Sequence, residues 1–174
     1  MKLVIALGIA ALAVTSTSAS SSRIRTCKTA ELMIEVRHGA AAAGTAGGYV
    51  GFTNRSDRVC RLSGWPTLVA LAAGRSRVAV HARSTMFGPR PEIVGVPVVM
   101  LRHGQRADAV FTTSDIPGPG QTRCPAYRHL RVTPPGNTRS VVVSAWLAGL
   151  AAYLPACTAI EVSFVVRAST LYHG

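Results

Sequence analysis

Four cysteines constrain the fold of this chain more than any other feature of its sequence. They form two equal intervals, because 33 residues separate Cys27 from Cys60 and 33 separate Cys124 from Cys157. An even number of cysteines in an exported chain is typical of disulfides, and three pairings are possible. Each interval contains two strand-like runs, and the flanks of an antiparallel hairpin lie close together. We therefore predict the pairs Cys27–Cys60 and Cys124–Cys157, each stabilising the fold by about 3–4 kcal/mol.

Short stretches of period-two alternation predict β-strands along the chain. Leu32, Ile34 and Val36 recur at every second position of residues 31–37, which indicates a strand with one buried face. Comparable runs between turn residues predict further strands at 49–53, 67–71, 78–82, 92–101, 107–113, 127–133, 141–147 and 160–166. No long segment has a helical period. The predicted fold class is therefore all-β, an immunoglobulin-like antiparallel β-sandwich stapled by two disulfides.

Segments of small or turn-forming residues are predicted to connect these strands. Residues 39–48 are alanine, glycine and threonine and are predicted to form a loop, while residues 148–155 are predicted as a loop or a helical turn. Pro97 cannot donate a ladder hydrogen bond, so the strand at 92–101 is predicted to be an edge strand or bulged. Asn, Asp, Ser, Gly and Pro predict tight turns at 54–57, 74–76 and 134–137.

The first 19 residues have the features of a secretory signal peptide. Lys2 supplies a positive charge, and residues 3–14 form an apolar run of about 12 residues, short of the roughly 20 that a membrane-spanning helix needs. Small residues precede a cleavage site that we place after Ala19. The predicted organisation is a signal peptide at 1–19, a flexible lead at 20–26, one β-sandwich domain at 27–168 and a C-terminal tail at 169–174.

The sequence also predicts where the mature chain resides. Cys27 follows Arg25 and Thr26 rather than an apolar triplet of small residues, so we do not expect a lipoprotein. No transmembrane segment is expected in the mature chain, because no second apolar run of sufficient length follows the signal peptide. We therefore expect a secreted protein that is extracellular or associated with the cell envelope.

The chain is strongly basic, with 19 Lys and Arg against 7 Asp and Glu and a formal net charge of +12. A surface of this sign concentrates polyanions by long-range attraction. Arginine, alanine, glycine and valine are also what a high-GC genome encodes by default, so composition alone is an open alternative explanation. On turns and outward strand positions, the predicted anion-binding residues are Arg55, Arg58, Arg61, Arg128 and Arg131.

Taken together, these motifs resemble a family of exported actinobacterial proteins of unknown function that share a four-cysteine domain. The resemblance covers about residues 27–166, and its most specific part runs from Thr53-Asn54 through Cys60 to the Gly64-Trp65-Pro66 corner. The resemblance implies a secreted β-sandwich and no known activity. Many members of that family resemble lipoproteins, and this chain departs from them at Cys27.

Several chemical functions lack their sequence signals here. A serine nucleophile on a Gly-x-Ser-x-Gly elbow does not occur, and the cysteines form no close pair of metal-ligand spacing. Aromatic residues make up only 6% of the chain, too few for the stacking platforms of nucleic-acid binders. We therefore expect no enzymatic activity, no cofactor, no metal site and no nucleic-acid partner.

Two tryptophans are the candidate residues for a ligand platform. Core or corner packing is the alternative, and it is favoured for Trp65, which lies between Gly64 and Pro66; for Trp146 both alternatives stay open. We hypothesise a binding or interaction module whose partners are anionic envelope polymers, lipid headgroups or a secreted protein. The alternative hypothesis is an inhibitor of a secreted enzyme, acting through a Pro/Gly-rich loop at residues 87–91 or 116–119.

Overall fold

The computed structural model describes residues 24–71, 77–78, 80–81 and 95–168 of the chain. Five sequence predictions therefore lie outside the described residues: the signal peptide, the first part of the flexible lead, the turn at 74–76, the loop at 87–91 and the C-terminal tail at 169–174. Among the residues that are described, no helix is long and apolar enough to cross a membrane.

Most of the regular structure in the described ranges is β-strand. In chain order the strands are β1 (Leu32–Ala42), β2 (Thr45–Asn54), β3 (Cys60–Leu62), β4 (Thr67–Leu71), β5 (Arg77–Val78), β6 (Val80–His81), β7 (Val99–Leu101), β8 (Arg106–Ser114), β9 (Ala126–Tyr127), β10 (His129–Thr133), β11 (Val141–Ser144), β12 (Trp146–Leu147), β13 (Ala152–Pro155), β14 (Ile160–Val162) and β15 (Val166–Arg167). Single turns of 3₁₀ helix cover Thr29–Glu31 and Ala148–Leu150. The predicted all-β class with two disulfides is confirmed.

Two larger sheets face each other across the core. The first has the order β1-β2-β8-β14-β6, with β15 paired to β8, and the second has the order β11-β10-β4-β5. Two smaller sheets have the orders β12-β13-β9 and β3-β7. β1 packs on β11 and β12, and β14 packs on β4, which brings the two larger sheets together. Between the named strands of the described ranges the pairing is antiparallel except between β14 and β6, which run parallel, and a single parallel bridge joins Thr26 to Arg61.

The inward side chains of the two sheets form one hydrophobic core. Val50 and Phe52 on β2 are fully buried, as the sequence predicts, and the residues between and after them on β2 are buried as well. Burying a side chain of this size stabilises the fold by about 1.5–3 kcal/mol relative to leaving it exposed. The largest fully buried side chains are Phe52, Phe111, Phe164, Leu62, Leu68, Leu101, Leu130, Leu147, Leu154 and Ile160.

The loop predicted at residues 39–48 is wrong. β1 continues to Ala42 and β2 begins at Thr45, so that only Ala43 and Gly44 form the turn. The small residues are needed because neighbouring chains come very close. A Cβ on Gly47 would lie 2.2 Å from the Phe111 carbonyl oxygen, and a Cβ on Gly39 would lie 2.3 Å from Leu147 Cδ2. Small side chains here serve close packing between strands rather than flexibility.

Other strands are shorter than the sequence predicts. Residues 95–98, which include Pro97, are irregular, and the strand begins only at Val99. The last predicted strand breaks between β14 and β15, where Ser163 Oγ accepts a hydrogen bond of 2.9 Å from Val110 N. Residues 148–150 form the predicted helical turn, but β13 follows directly and was not predicted. The hydroxyl of Ser163 takes the place of a regular ladder bond at the β14–β15 break, and Pro97 lacks the N–H that a ladder bond needs.

Both predicted disulfides are confirmed, and in each the Cα atoms are 4.8 Å apart. Cys27 and Cys60 flank the β1–β2 hairpin, as the geometry of antiparallel strands requires. Cys124 and Cys157 lie beside the paired strands β9 and β13, outside the predicted hairpin of β10 and β11. The two bridges differ in exposure, because the first pair is fully buried and the second is half-buried.

Candidate functional site

A bulge in β1 shapes a concave part of the described surface. The β1–β2 register shifts between Arg37 and Ala40, and His38 has a φ of 47°, which is uncommon for a residue with a side chain. Gly39 and Gly149 approach closely here, since a Cβ on Gly149 would lie 2.6 Å from the Gly39 carbonyl oxygen. The bulge therefore presses β1 against the 3₁₀ turn after β12 and turns the His38 backbone outward.

A groove of about 400 Å³ opens between β1 and the segment from β11 to the 3₁₀ turn. Its walls combine apolar side chains with a carboxylate, an imidazole and a hydroxyl. The lining residues are Ile34, Glu35, Val36, His38, Val143, Ser144, Trp146 and Ala148. A shallow groove of this mixed chemistry suits an elongated polar ligand that also has apolar faces.

Trp146 forms one side of this groove and is 45% exposed. Its β12 neighbour Leu147 is fully buried, so strand alternation directs Trp146 outward. Tyr153, its cross-strand partner on β13, meets the indole edge-to-face at 5.1 Å between ring centroids. Arg128 Cζ lies 5.0 Å from the Tyr153 ring centroid, within the range of a cation–π contact. Indole, phenol and guanidinium therefore form one continuous cluster, which we call the Trp146 platform.

Trp65, the other tryptophan, has a different environment. Its ring packs edge-to-face on the buried Phe164 at 5.6 Å between centroids. Val165 N donates a hydrogen bond of 3.0 Å to the Gly64 carbonyl, which holds the corner against the β14–β15 break. Gly64 has a φ of 98°, so a glycine is required at this turn. Trp65 is thus a packing residue, as its sequence context favoured, and Trp146 is the exposed aromatic residue.

The five predicted anion-binding arginines lie in two separate regions. Arg55 and Arg58 are exposed in the turn after β2, and Arg61 is half-buried on β3. The other two lie on the second large sheet or just before it. Arg128 is exposed and forms part of the Trp146 platform, and Arg131 is half-buried on β10. The structure does not bring these five residues together into one patch.

Acidic residues pair with a different set of arginines. Arg25 Nη1 donates to Glu31, Arg37 Nη1 donates to Glu35 Oε1 at 2.6 Å, and Arg106 Nε donates to Asp108 Oδ1 at 2.8 Å. Within the part of the chain that the structure describes, none of the five predicted arginines has a carboxylate within ion-pair distance. Within the described ranges their positive charge is therefore not neutralised by an ion pair.

Asp108 is the most deeply buried charged group in the described ranges. Burial raises the pKa of this carboxyl, and the hydrogen bond and charge of Arg106 offset that effect in part. The glycine opposite it on β2 makes room for this pair, because a Cβ on Gly51 would lie 3.1 Å from both Arg106 Cδ and Asp108 Oδ1. We assign Asp108 to the fold rather than to ligand binding.

Sequence reasoning missed Tyr153 and the strand that contains it, β13. Tyr153 was not singled out because residues 148–155 were interpreted as a loop or a helical turn, which hid its pairing with Trp146. Leu154 and Pro155, at the end of β13 that pairs with β9, are apolar residues that could have indicated this strand.

In the described ranges, no group of three or more His, Cys, Asp or Glu residues is placed to hold a metal ion.

Comparison with known proteins gives one family. A family model described as a domain of unknown function, DUF4232, matches residues 27–164. No curated protein and no solved structure is significantly similar to the chain.

Proposed function

Because the chain belongs to the DUF4232 family, whose function is unknown, we propose a function from its surface: a secreted, non-enzymatic binding module that attaches to anionic polymers of the cell envelope or extracellular space. The module acts by adhesion, and its ligand is recognised first by charge. Two disulfides support an oxidising compartment outside the cytoplasm. The signal peptide predicted at residues 1–19 supports the same location.

One observation carries this proposal. The carboxylates of Glu31, Glu35 and Asp108 are each paired with an arginine that is not among the five predicted sites. The exposed guanidinium groups of Arg55, Arg58 and Arg128 are therefore not neutralised by an ion pair in the described part of the chain. Unneutralised arginines attract polyanions over about 8–10 Å at physiological ionic strength.

The division of these arginines into two regions favours a polymer over a small anion. A small anion would need several donors converging within hydrogen-bond distance, whereas a long polyanion can contact separate patches in succession. Arg55 and Arg58 lie in the turn between β2 and β3, and Arg128 lies between β9 and β10. Each weak contact then adds to the next, since attachment at one patch raises the effective concentration at the other.

A polymer-binding assay tests the proposal. We expect the oxidised protein to sediment with polyphosphate-coated beads at about 20 mM salt and to be released steeply as salt rises, because screening removes long-range attraction. The double variant Arg55→Glu/Arg58→Glu should bind much more weakly. The matched control Arg55→Lys/Arg58→Lys keeps both charges and should bind nearly as well as the wild type.

Three results would count against this function. Binding that ignores salt, or that the charge-reversing variant retains in full, would refute the electrostatic mechanism. Binding to vesicles that contain an anionic phospholipid, without binding to polyphosphate, would refute a polymer ligand and indicate lipid headgroups.

A specific observation also supports the alternative, an inhibitor that presents a loop. Residues 116–123 are exposed, with Ile116 61% exposed, and the disulfide of Cys124 anchors one end of the loop. Asp115 N donates to the Gly44 carbonyl at 3.2 Å, and Gln121 Oε1 accepts from Gly118 N at 3.2 Å, so the loop is braced. Inhibition of a secreted enzyme that Ile116→Glu abolishes and salt leaves unchanged would favour this alternative.

A further inference from the structure

The Trp146 platform presents an exposed aromatic surface to a ligand in addition to positive charge. A tryptophan that remains 45% exposed leaves a large apolar surface in water, although the adjoining Leu147 is completely buried. Edge-to-face contact with Tyr153 holds the indole in place without covering it. A rigid aromatic face beside a groove loses little entropy when a ligand packs on it, because its side chain is already ordered.

Arg128 places a positive charge at the same platform. Its guanidinium lies 5.0 Å from the Tyr153 centroid, and its backbone carbonyl accepts a hydrogen bond of 2.9 Å from Ala145 N, next to Trp146. The hydrogen bond fixes the backbone of Arg128, the contact with Tyr153 positions its guanidinium, and the cation keeps its charge at every physiological pH. Tyr153 contacts both Trp146 and Arg128, whereas Arg128 is not among the residues that line the groove. A ligand that packs on Trp146 and extends along Tyr153 would bring a carboxylate to Arg128.

The rest of the groove supplies hydrogen-bonding groups. Ser144 Oγ accepts a bond of 3.3 Å from Trp146 N and has further capacity for a ligand hydroxyl. His38 lines the same groove on the β1 bulge. Glu35 would repel an anion, but its Oε1 accepts a hydrogen bond of 2.6 Å from Arg37, which offsets its charge.

From these three features we infer that the groove and the adjoining Trp146 platform bind an acidic saccharide, in which one sugar ring lies on Trp146 and a carboxylate further along the saccharide reaches past Tyr153 to Arg128. Sugar rings have one face of aliphatic C–H groups that suits an aromatic surface, while their hydroxyls suit Ser144 and His38. Phosphate chains carry charge but no such ring. This inference rests on the proposed function, since it names the ligand class of the same binding module.

Calorimetric titration with three probes tests the inference: trigalacturonate, the neutral trisaccharide of galactose, and inorganic polyphosphate. We expect wild-type protein to prefer trigalacturonate to the neutral trisaccharide. Trp146→Ala should weaken trigalacturonate binding about tenfold, as loss of a central aromatic contact does, and should leave polyphosphate binding unchanged. Trp146→Phe, which keeps an aromatic face, should retain most of the affinity. Arg128→Gln should remove the preference for the acidic sugar.

Ile116→Ala is the matched control, because it removes an exposed apolar side chain from a different loop and should change nothing. Equal binding of trigalacturonate by Trp146→Ala and wild type would overturn the inference. So would a wild-type protein that does not prefer the acidic sugar, or that binds polyphosphate and neither saccharide; in that last result the proposed function survives. Wild-type protein that binds none of the anionic probes refutes the proposed function itself.

Discussion

The two disulfides enclose intervals of the same length, yet they belong to very different surroundings. Cys27 and Cys60 have no exposed surface, and the backbone around them is tied into the core. Cys124 and Cys157 are half-buried at the base of the exposed loop 116–123. Because equal loops remove about the same entropy from the unfolded chain, any difference in their effect on stability comes from the folded state.

Two buried or half-buried asparagines explain the tightness of the first region. Asn54 Nδ2 donates to the carbonyls of Arg58 and Leu101 at 2.8 and 2.9 Å, and its Oδ1 accepts from Ser56 N at 2.9 Å. Asn137, in the turn between β10 and β11, donates through Nδ2 to the Cys27 carbonyl at 2.9 Å. The first disulfide is therefore surrounded by a network of buried and partly buried side-chain hydrogen bonds, whereas the second anchors a surface loop.

The largest effect should come from removing each disulfide in turn. We expect Cys27→Ser/Cys60→Ser to lower the free energy of unfolding by about 5 kcal/mol, because the crosslink is lost and two hydroxyls are then buried without hydrogen-bond partners. Cys124→Ser/Cys157→Ser should cost about 3 kcal/mol, close to the chain-entropy term alone. Denaturant unfolding of the two oxidised variants measures both values.

Native reduction gives an independent check of the same contrast. With a low concentration of dithiothreitol, alkylation and mass spectrometry should find Cys124 and Cys157 reduced first, because thiol exchange needs access to a sulfur atom. Equal losses of stability from the two double variants, together with simultaneous reduction, would show that burial does not distinguish the two bridges.

A smaller effect should follow from removing the Asn54 side chain. Asn54→Ala removes one hydrogen bond each from the Arg58 carbonyl, the Leu101 carbonyl and the Ser56 amide, and we expect a loss of about 2–4 kcal/mol in unfolding free energy. Gln121→Ala removes the comparable brace from the second region, the bond to Gly118 N. Since Gln121 is exposed, its loss should cost less than about 0.5 kcal/mol. Similar losses in the two variants would contradict the comparison.

The smallest effect concerns pH and belongs to the first region alone. A hydrogen bond from Arg25 holds the pKa of Glu31 below its ordinary value of 4.5, although partial burial acts in the opposite direction. The stabilisation is therefore complete above pH 4.5 and is lost as the pH falls through the lower folded pKa. We expect Glu31→Gln to remove less than about 1 kcal/mol at pH 7, since the pair is partly exposed.

Unfolding free energy measured from pH 7 down to pH 3 checks this sign. The difference between wild type and Glu31→Gln should shrink as the solution becomes more acidic. Arg25→Gln should reproduce the effect from the other partner. A difference that grows with acidity would mean that burial, and not the arginine, dominates the pKa of Glu31.

The accuracy of sequence reasoning depended on whether local or distant neighbours decided each feature. Alternation correctly located Leu130 and Val132 in the core, because one-sided burial imposes a period of two on a strand such as β10. Val50 and Phe52 were also located correctly, on a strand whose last five residues are all buried. Residues 39–48 were misassigned because small side chains are equally compatible with a flexible loop and with tightly approaching strands. Only Phe111 and Leu147, both remote in sequence, distinguish these cases.

The candidate site was predictable to a lesser extent. Outward positions for Arg55, Arg58 and Arg128 followed from turns and strand ends, but their separation into two regions depends on the order of strands in the sheets. Trp146 was a candidate platform in the sequence alone. The sequence did not predict that Tyr153 and Arg128 lie beside it. Tyr153 is brought there by the pairing of β12 with β13, and Arg128 by its contact with the Tyr153 ring.

The sequence by itself determined the strand periodicity, the excess of arginine and, through two equal cysteine intervals, the disulfide pairing. These features are local, or depend on the geometry of neighbouring antiparallel strands. Tertiary structure alone decided which arginines the few carboxylates neutralise, which cysteine pair enters the core and which tryptophan stays exposed. Burial and charge pairing depend on chain segments far apart in sequence, and a linear pattern does not specify the distances between such segments.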